Sequence, residues 1–483
     1  MSTELKDQVQ QLVSEILGRY NDAIRDGSGT GDSETRPTPA TQTPGMFSDP
    51  GHAVQSATAA QRALIDLPLS VRKNIVAAMR QAALKNARLL AQIAVEETGL
   101  GNVVDKTAKN TLVAIETPGV EDLDSAAYTN EHGLSLVERA PYGVIGAIIP
   151  VTNPTSTVIN NGIGMIAAGN AVVFNPHPSA KRASCEAVAI LARAVVEAGG
   201  PKNLITAVGV PTIETATQLM NHPGIAILVV TGGPAVVEAA MGSGKKVIAA
   251  GPGNPPCVVD ETADIARAGR DIVSGSGFDH NVVCICEKEV IVVESVADRL
   301  VAAMQANGAH RLTKEEVGRI TDLVITTPGG PGVEGAPNKK YVGKSAATIA
   351  ADIGLSVASE TRVLLCEVDV DHPLVWTEQL MPVLPLVRRP TVDECIDLAF
   401  ECEHGFRHTA MMHSLNVEKL SRMARLMNCS LFVKNGPCYA GLAKGGAGYT
   451  SFTIASPTGE GLTSARTFTR QRHCTLVDSF RIV

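Results

Sequence analysis

Between Val144 and Ala250 the chain repeats one pattern. A short run of aliphatic and β-branched residues is followed by a longer stretch of helical spacing. VIGAIIPV precedes a helical stretch near residues 157–168, and AVVFNP precedes SAKRASCEAVAILARAVVEAG. LITAVGV precedes IETATQLMNH, and AILVVTGG precedes PAVVEAAMGSG and then KVIAA. Strand-length apolar runs alternating with helices predict βαβ units and a parallel sheet covered on both faces. Gly, Asn and Pro stand at the ends of the runs, where open α/β sheets bind ligands. A second α/β region follows from Pro256 to about Ala447, with VIVVESVADRLVAAMQA, SVASETRVLLCEV and LPLVRRPTVDECIDLAFECEHG. At 483 residues the chain is too long for one core, so two or more domains are expected. The closing ARTFTRQRHCTLVDSFRIV alternates apolar and polar residues. It reads as a tail strand that needs an edge to pair with, on another subunit for instance.

A separate piece precedes the body, which begins near Met46. In MSTELKDQVQQLVSEILGRY, Leu5, Val9, Leu12, Val13, Ile16, Leu17 and Tyr20 fall on one helical stripe. A helix of about five turns is marginal alone in water. Residues 21–44 are rich in Gly, Ser, Thr and Pro with almost no apolar side chains, the composition of a flexible linker. Glu4, Asp7 and Glu15 set the helix apart from Arg-rich, acid-poor transit peptides.

Composition removes several function classes. The formal charge is −7 with no Lys/Arg-rich block, so nucleic-acid binding has no electrostatic footprint. The longest apolar run, Tyr142 to Val151, is too short to span a membrane and is broken by Gly143, Gly146 and Pro150. The ten cysteines are scattered and form no C-x2-C pair, so neither a disulfide framework nor a zinc site is expected. His404, His408 and His413 cluster without a completing carboxylate or thiol, and no metal site is assigned.

Two cysteines stand one residue apart, Cys284 and Cys286, in SGSGFDHNVVCICEKEVIVV. A redox pair, half a metal site, two core residues, or a nucleophile with a bystander would all fit. VTGG (Val230 to Gly233) ends a strand and opens a helix at Pro234, offering bare N–H groups to a phosphate. By itself it is equally compatible with an ordinary turn.

Order resolves the choice. IIPVTNP (148–154), FNPHPSAK (174–181), VTGG (230–233), AAGPGNPP (249–256), FDHNVVCICEK (278–288), EQLMPVLPLV (378–387) and EHGFRHTAMMHS (403–414) follow one another. From about residue 47 to the end the chain resembles the aldehyde dehydrogenase superfamily. Within it, the chain resembles the CoA-acylating propionaldehyde and acetaldehyde dehydrogenases of bacterial microcompartments. FNPHPSAK, AAGPGNPP and SFTIASPTGEGLTSARTF carry the narrower resemblance.

The resemblance implies an α/β fold of two Rossmann-like parallel-sheet domains plus an oligomerisation strand and tail. It divides the chain into an encapsulation helix (1–20), a linker (21–46) and an NAD-binding domain (47–252, with an oligomerisation excursion at about 123–140). A catalytic thiol domain (253–450) and an oligomerisation tail (451–483) follow. In the pattern N-x-x-C-x-x-E, here Asn281, Cys284 and Glu287, it makes Cys284 the nucleophile. Asn153 becomes the side-chain oxyanion donor. Cys286 has no family role; in an extended segment it would face the same side as Cys284. Thr152, Asn175, His177, Gly209, Thr231, Gly232, Gly233, Glu378 and Leu380 fall at cofactor positions. Asn175 replaces the usual ribose-binding Lys, and Leu380 replaces an aromatic residue. Hydrolytic members carry a general-base Glu where this chain has Ala250-Gly251-Pro252-Gly253. Loss of a general base costs roughly 10²–10⁴ in rate, which lets a thiol compete with water. The implied reaction oxidises a short-chain aldehyde with NAD and coenzyme A to acyl-CoA and NADH. His280 and His408 are candidates to assist CoA deprotonation. The resemblance also implies a homodimer or homotetramer, docked to shell proteins through residues 1–20, inside a microcompartment of the bacterial cytoplasm. A hydrolytic aldehyde dehydrogenase, an acyl-phosphate reductase and a non-catalytic shell cargo stay open on the sequence.

Overall fold

The computed structural model describes residues 43–482. The helix expected over 1–20 and most of the linker expected over 21–46 lie outside the described residues. The βαβ pattern closes into a six-stranded sheet. Its order is Met46–Phe47, Ile205–Val208, Ala171–Asn175, Val144–Ile148, Ile227–Thr231 and Lys246–Ala250. All neighbours are parallel. The three strands beginning at Val144, Ala171 and Ile205 are buried along their whole length, which is why they read as apolar runs rather than alternating ones. From Val144–Ile148 the chain adds strands on one side, then returns to add Ile227–Thr231 on the other. That reversal opens a crevice at the carboxyl ends of these two strands.

A second sheet has seven parallel strands in the order Ala309–Arg311, Val363–Glu367, Val383–Arg389, Glu289–Val293, Pro256–Val259, Thr409–His413 and Leu431–Lys434. Ile145 and Val173 of the first sheet and Val258 and Ile291 of the second belong to one continuous buried cluster. From Thr43 onward the chain packs as one unit, and these two are its largest sheets.

The tail strand finds its edge on its own chain. Thr469–Val477 pairs antiparallel with Gly133–Pro141, from Thr469 opposite Pro141 to Val477 opposite Gly133, and Ala126–Asn130 completes a three-stranded sheet. Residues before this strand return to the body. Thr453 accepts or donates a hydroxyl bond with Thr231 at 2.9 Å, and Ser464 donates to Asp122 at 2.6 Å.

One helix matters most for the site. Val103–Glu116 starts where the Asn102 side chain accepts from the Asp105 N–H at 2.8 Å. Gly101 precedes it at φ +68°, and a Cβ there would lie 1.9 Å from an oxygen of Asp279. The helix turns Lys106, Lys109 and Asn110 into the protein.

Candidate active site

The loop bearing the cysteine pair is not extended. Helix Ile265–Ser276 ends, and Asp279, His280 and Asn281 follow with φ of +47°, +54° and +61°. Three consecutive left-handed non-glycine residues are costly and persist only where the surroundings over-determine them. Here the surroundings are polar anchors. Asp279 accepts from the Asn102 N–H at 2.9 Å and from both Lys106 and Lys109, and its own N–H donates to Asp105 at 2.9 Å. His280 Nδ1 sits 3.1 Å from the Gly343 carbonyl. Asn281 Nδ2 donates to Ser276 at 2.8 Å and Glu287 at 2.9 Å, which folds the loop back on itself.

The chain then turns rather than runs straight, with the Cys286 N–H donating to the Val283 carbonyl at 3.1 Å. The same-side expectation for the two thiols fails for this reason. Cys284 is half-buried, whereas Cys286 is wholly buried, its sulfur 3.8 Å from the Phe278 carbonyl. Exposure sets the two thiols apart, and Cys284 is the more accessible of them.

Charge around Cys284 is mixed. Burial pushes its thiol up to about 12, the Glu378 carboxylate adds to this, and the Lys288 ammonium opposes it. Lys288 is fully buried. Its ammonium donates to Asn281 Oδ1, to the Asn281 carbonyl at 3.2 Å and to the Val283 carbonyl at 3.3 Å, just ahead of Cys284. Among the described residues it makes no ion pair. Glu287 is buried as well, and burial lifts its carboxyl to about 7 although it accepts from the Cys438 N–H at 2.9 Å.

Asn153 lies at the end of the first sheet's central strand. It is the residue before helix Pro154–Ala167, yet its side chain does not cap that helix. Instead Oδ1 accepts from the Lys109 ammonium, and Nδ2 donates to Thr152 Oγ1 at 3.2 Å. Lys106 donates to the Thr152 carbonyl at 3.2 Å. Asp279 therefore joins the Asn153 side of the site to the Cys284 loop. Burial pushes the Asp279 carboxyl up, but the two ammonium groups outweigh it and hold it below its usual range.

The segment at the base position of hydrolytic relatives also meets Cys284. A Cβ on Gly253 would lie 3.1 Å from the Cys284 carbonyl oxygen and 2.9 Å from the His408 ring. The Gly253 N–H donates to Glu378 at 3.3 Å. Gly253 thus packs on the Cys284 loop, and residues 250–253 bring no carboxylate of their own. Burial lifts the Glu378 carboxyl to about 7. His408 is buried, with Nδ1 2.8 Å from Thr409 Oγ1. Burial drops its pKa to about 3, with Lys288 adding to the shift, so the ring is neutral and a weak base.

The remaining cofactor positions stand at strand ends. Asn175 closes its strand and accepts from Thr215 at 2.9 Å, and His177 accepts from the Ser179 N–H at 3.1 Å. Gly209 follows Ile205–Val208. Thr231 ends its strand, and Gly233 caps helix Pro234–Met241 with nothing within 4 Å of where its Cβ would stand. Thr152 and Thr231 to Gly233 flank the crevice. Asn175 ends a strand to one side of it, and His177 and Gly209 follow the strands on that side. Leu380 takes a left-handed φ of +54°, and its carbonyl accepts from the Gly343 N–H at 2.9 Å.

Lys106, Lys109, Asp279 and Lys288 were not legible as site residues. Two lysines three apart on a helix look like a solvated face, and only burial reverses that reading.

Comparison with known proteins agrees with this geometry. The family model described as "Aldehyde dehydrogenase family" matches residues 40–462. The chain is 50% identical over 452 residues to the acetaldehyde dehydrogenase (acetylating) of Escherichia coli, covering 93% of this chain and 96% of that protein. It superposes with a TM-score of 0.87 at 48% identity on the propionaldehyde dehydrogenase of Rhodopseudomonas palustris, solved with bound CoA and an acylated cysteine, over 90% of this chain and 98% of that one. A propionaldehyde dehydrogenase from the fucose utilisation microcompartment of Clostridium phytofermentans gives a TM-score of 0.88 at 44% identity, over 91% of this chain and 100% of that one. With two parallel sheets, a cysteine loop tied to Asn153 through Asp279 and Lys109, and these matches along nearly its whole body, the chain belongs to the aldehyde dehydrogenase family.

Proposed function

We propose that the protein is a CoA-acylating aldehyde dehydrogenase that converts a short-chain aldehyde such as propanal or acetaldehyde, with NAD and coenzyme A, to the acyl-CoA and NADH. The observation that carries this is the half-buried Cys284 with Gly253, from the carboxylate-free segment 250–253, packed against its loop. Cys284 attacks the aldehyde carbonyl as a thiolate, a form that burial and the Glu378 carboxylate oppose and the Lys288 ammonium favours. The new oxyanion is met by Asn153 Nδ2 and the Cys284 backbone N–H. NAD, held here, would supply the hydride acceptor. Open space at Gly233, at the start of helix Pro234–Met241, fits the pyrophosphate, and Glu378 fits the ribose. The enzyme thioester that remains meets no positioned base from residues 250–253, so water attacks slowly. CoA, a better nucleophile, takes the acyl group. The same active site requires that propanal with NAD yield propanoyl-CoA when CoA is present and little propanoic acid when it is absent. Rapid acid release without CoA would show a hydrolytic enzyme.

Two further parts of the reading concern assembly. The sheet of Ala126–Asn130, Gly133–Pro141 and Thr469–Val477 is largely exposed and leaves Tyr128, Leu476, Val477 and Phe480 in solvent. Three strands without a covering layer are marginal alone, which fits a homodimer or homotetramer that covers them. Among the described residues no helix is long and apolar enough to cross a membrane. Residues 1–20, on the sequence stripe alone, are the docking segment for a bacterial microcompartment shell.

A further inference from the structure

We propose that Lys109 is a positioning residue for the oxyanion donor, fixing which end of the Asn153 amide faces the reacting carbonyl. The proposal rests on the reading of Asn153 given above. An amide's oxygen and nitrogen ends are alike in shape, so only its partners decide its orientation. An ammonium group has three donors and no acceptor. The atom of Asn153 that faces Lys109 is therefore Oδ1, and Nδ2 is turned the other way, toward Thr152 Oγ1. One Nδ2 hydrogen has no other partner among the described residues and is left for an oxyanion.

Three features make this arrangement rigid. Lys109 is 1% exposed, so it has no solvent orientation to escape to. Asp279 holds the same ammonium, and Asp279 is itself fixed by Lys106 at 2.9 Å and by the Asn102 N–H at 2.9 Å. Lys106 also holds the Thr152 carbonyl, so the two lysines grip consecutive residues of the Thr152–Asn153 turn. A cation on Oδ1 further polarises the amide and strengthens its N–H as a donor. Asn153 is thereby spared from capping its own helix, the commoner use of an asparagine before a first turn.

The test compares two reactions of the same cysteine. Acyl-enzyme formation from propanal and NAD, read as the single-turnover burst of NADH, develops an oxyanion. Alkylation of Cys284 by iodoacetamide does not. Loss of one oxyanion donor costs roughly 10²–10³ in rate, which sets the expectation for Asn153→Ala and the ceiling for its positioner. Lys109→Met is expected to slow acylation about 10- to 100-fold, below that ceiling, and to leave alkylation unchanged. Lys109→Gln keeps a donor toward Oδ1 and is expected to recover most of the loss. On an Asn153→Ala background Lys109→Met should cost nothing more. Equal slowing of acylation and alkylation would mark Lys109 as merely structural and overturn the proposal. So would wild-type acylation in Lys109→Met while Asn153→Ala is slow. If Asn153→Ala itself is unimpaired, the reading of Asn153 fails instead. If the methionine variant does not fold, the glutamine variant decides: acylation as slow as in Asn153→Ala would overturn the proposal.

Discussion

Replacing Asp279 by Asn keeps the side-chain shape and removes one charge. The structure makes the consequence large. Lys106 and Lys109 are 3% and 1% exposed, and Asp279 is their shared carboxylate. Without it two ammonium groups stay buried side by side. Removing one partner of a buried ion pair typically costs about 3–5 kcal/mol. At about 2.1 cal/mol/K of unfolding entropy per residue, a body of this size loses about 1 °C per kcal/mol, so Tm should fall by about 3–5 °C. The loss should depend on pH. Burial already lowers the Lys106 pKa to about 8, with Lys109 adding to the shift and Asp279 opposing it. A lysine whose folded pKa lies below its unfolded value binds fewer protons when folded, so its contribution improves as pH rises through the window between the two values. Losing Asp279 lowers the folded value further and extends the window downward. The Tm gap between wild type and Asp279→Asn should thus be widest near pH 6 and shrink toward pH 9. Adding Lys106→Met to Asp279→Asn removes one of the orphaned cations and should recover at least half of the loss. Thermal melts of wild type, Asp279→Asn, Lys106→Met and the double variant across that pH range form a double-mutant cycle. Simple additivity, or a gap that does not change with pH, would refute the claim that charge compensation holds this part of the site.

Three other outcomes follow from the same geometry. Glu378→Gln should speed iodoacetamide alkylation of Cys284 above pH 7, where the Glu378 carboxylate is charged, and leave it unchanged below pH 6, while Lys288→Met should slow it; slower alkylation in Glu378→Gln at pH 8 would contradict the electrostatics. Ala250→Glu returns a carboxylate to the base position and should raise free acid relative to acyl-CoA at fixed CoA; an unchanged product ratio would mean that the missing Glu does not set the acceptor. Deleting residues 1–20 should leave the CoA-dependent rate near wild type and abolish co-purification with shells, and fusing them to a fluorescent protein should carry it into shells; a truncated enzyme that still enters shells would refute the docking role.

The strands were legible because they are buried on both faces and so read as unbroken apolar runs. Asn153 and Cys284 were legible through ordered motifs at strand and helix ends. What the sequence concealed depends on contacts between distant segments. Asp279 lies inside a motif that was singled out, but its partners are 170 and 173 residues away. The left-handed run Asp279 to Asn281 is paid for by those partners, and the turn after it, closed by the Cys286 N–H on the Val283 carbonyl, is what puts Cys286 in the core. The tail strand showed its alternation but not its mate, because the pairing with Gly133–Pro141 closes a loop of more than three hundred residues.

The central claim is that Cys284 carries the acyl group and yields it to CoA. Mixing the enzyme with propanal and NAD in the absence of CoA, quenching, and mapping the intact protein and its peptides by mass spectrometry tests it directly. The account predicts one propanoyl group on the peptide containing Cys284, absent in Cys284→Ala, retained at that site in Cys286→Ala, and discharged as propanoyl-CoA when CoA is added. Acylation that persists at Cys286 in Cys284→Ala, or an acyl group that water releases as fast as CoA does, would contradict it.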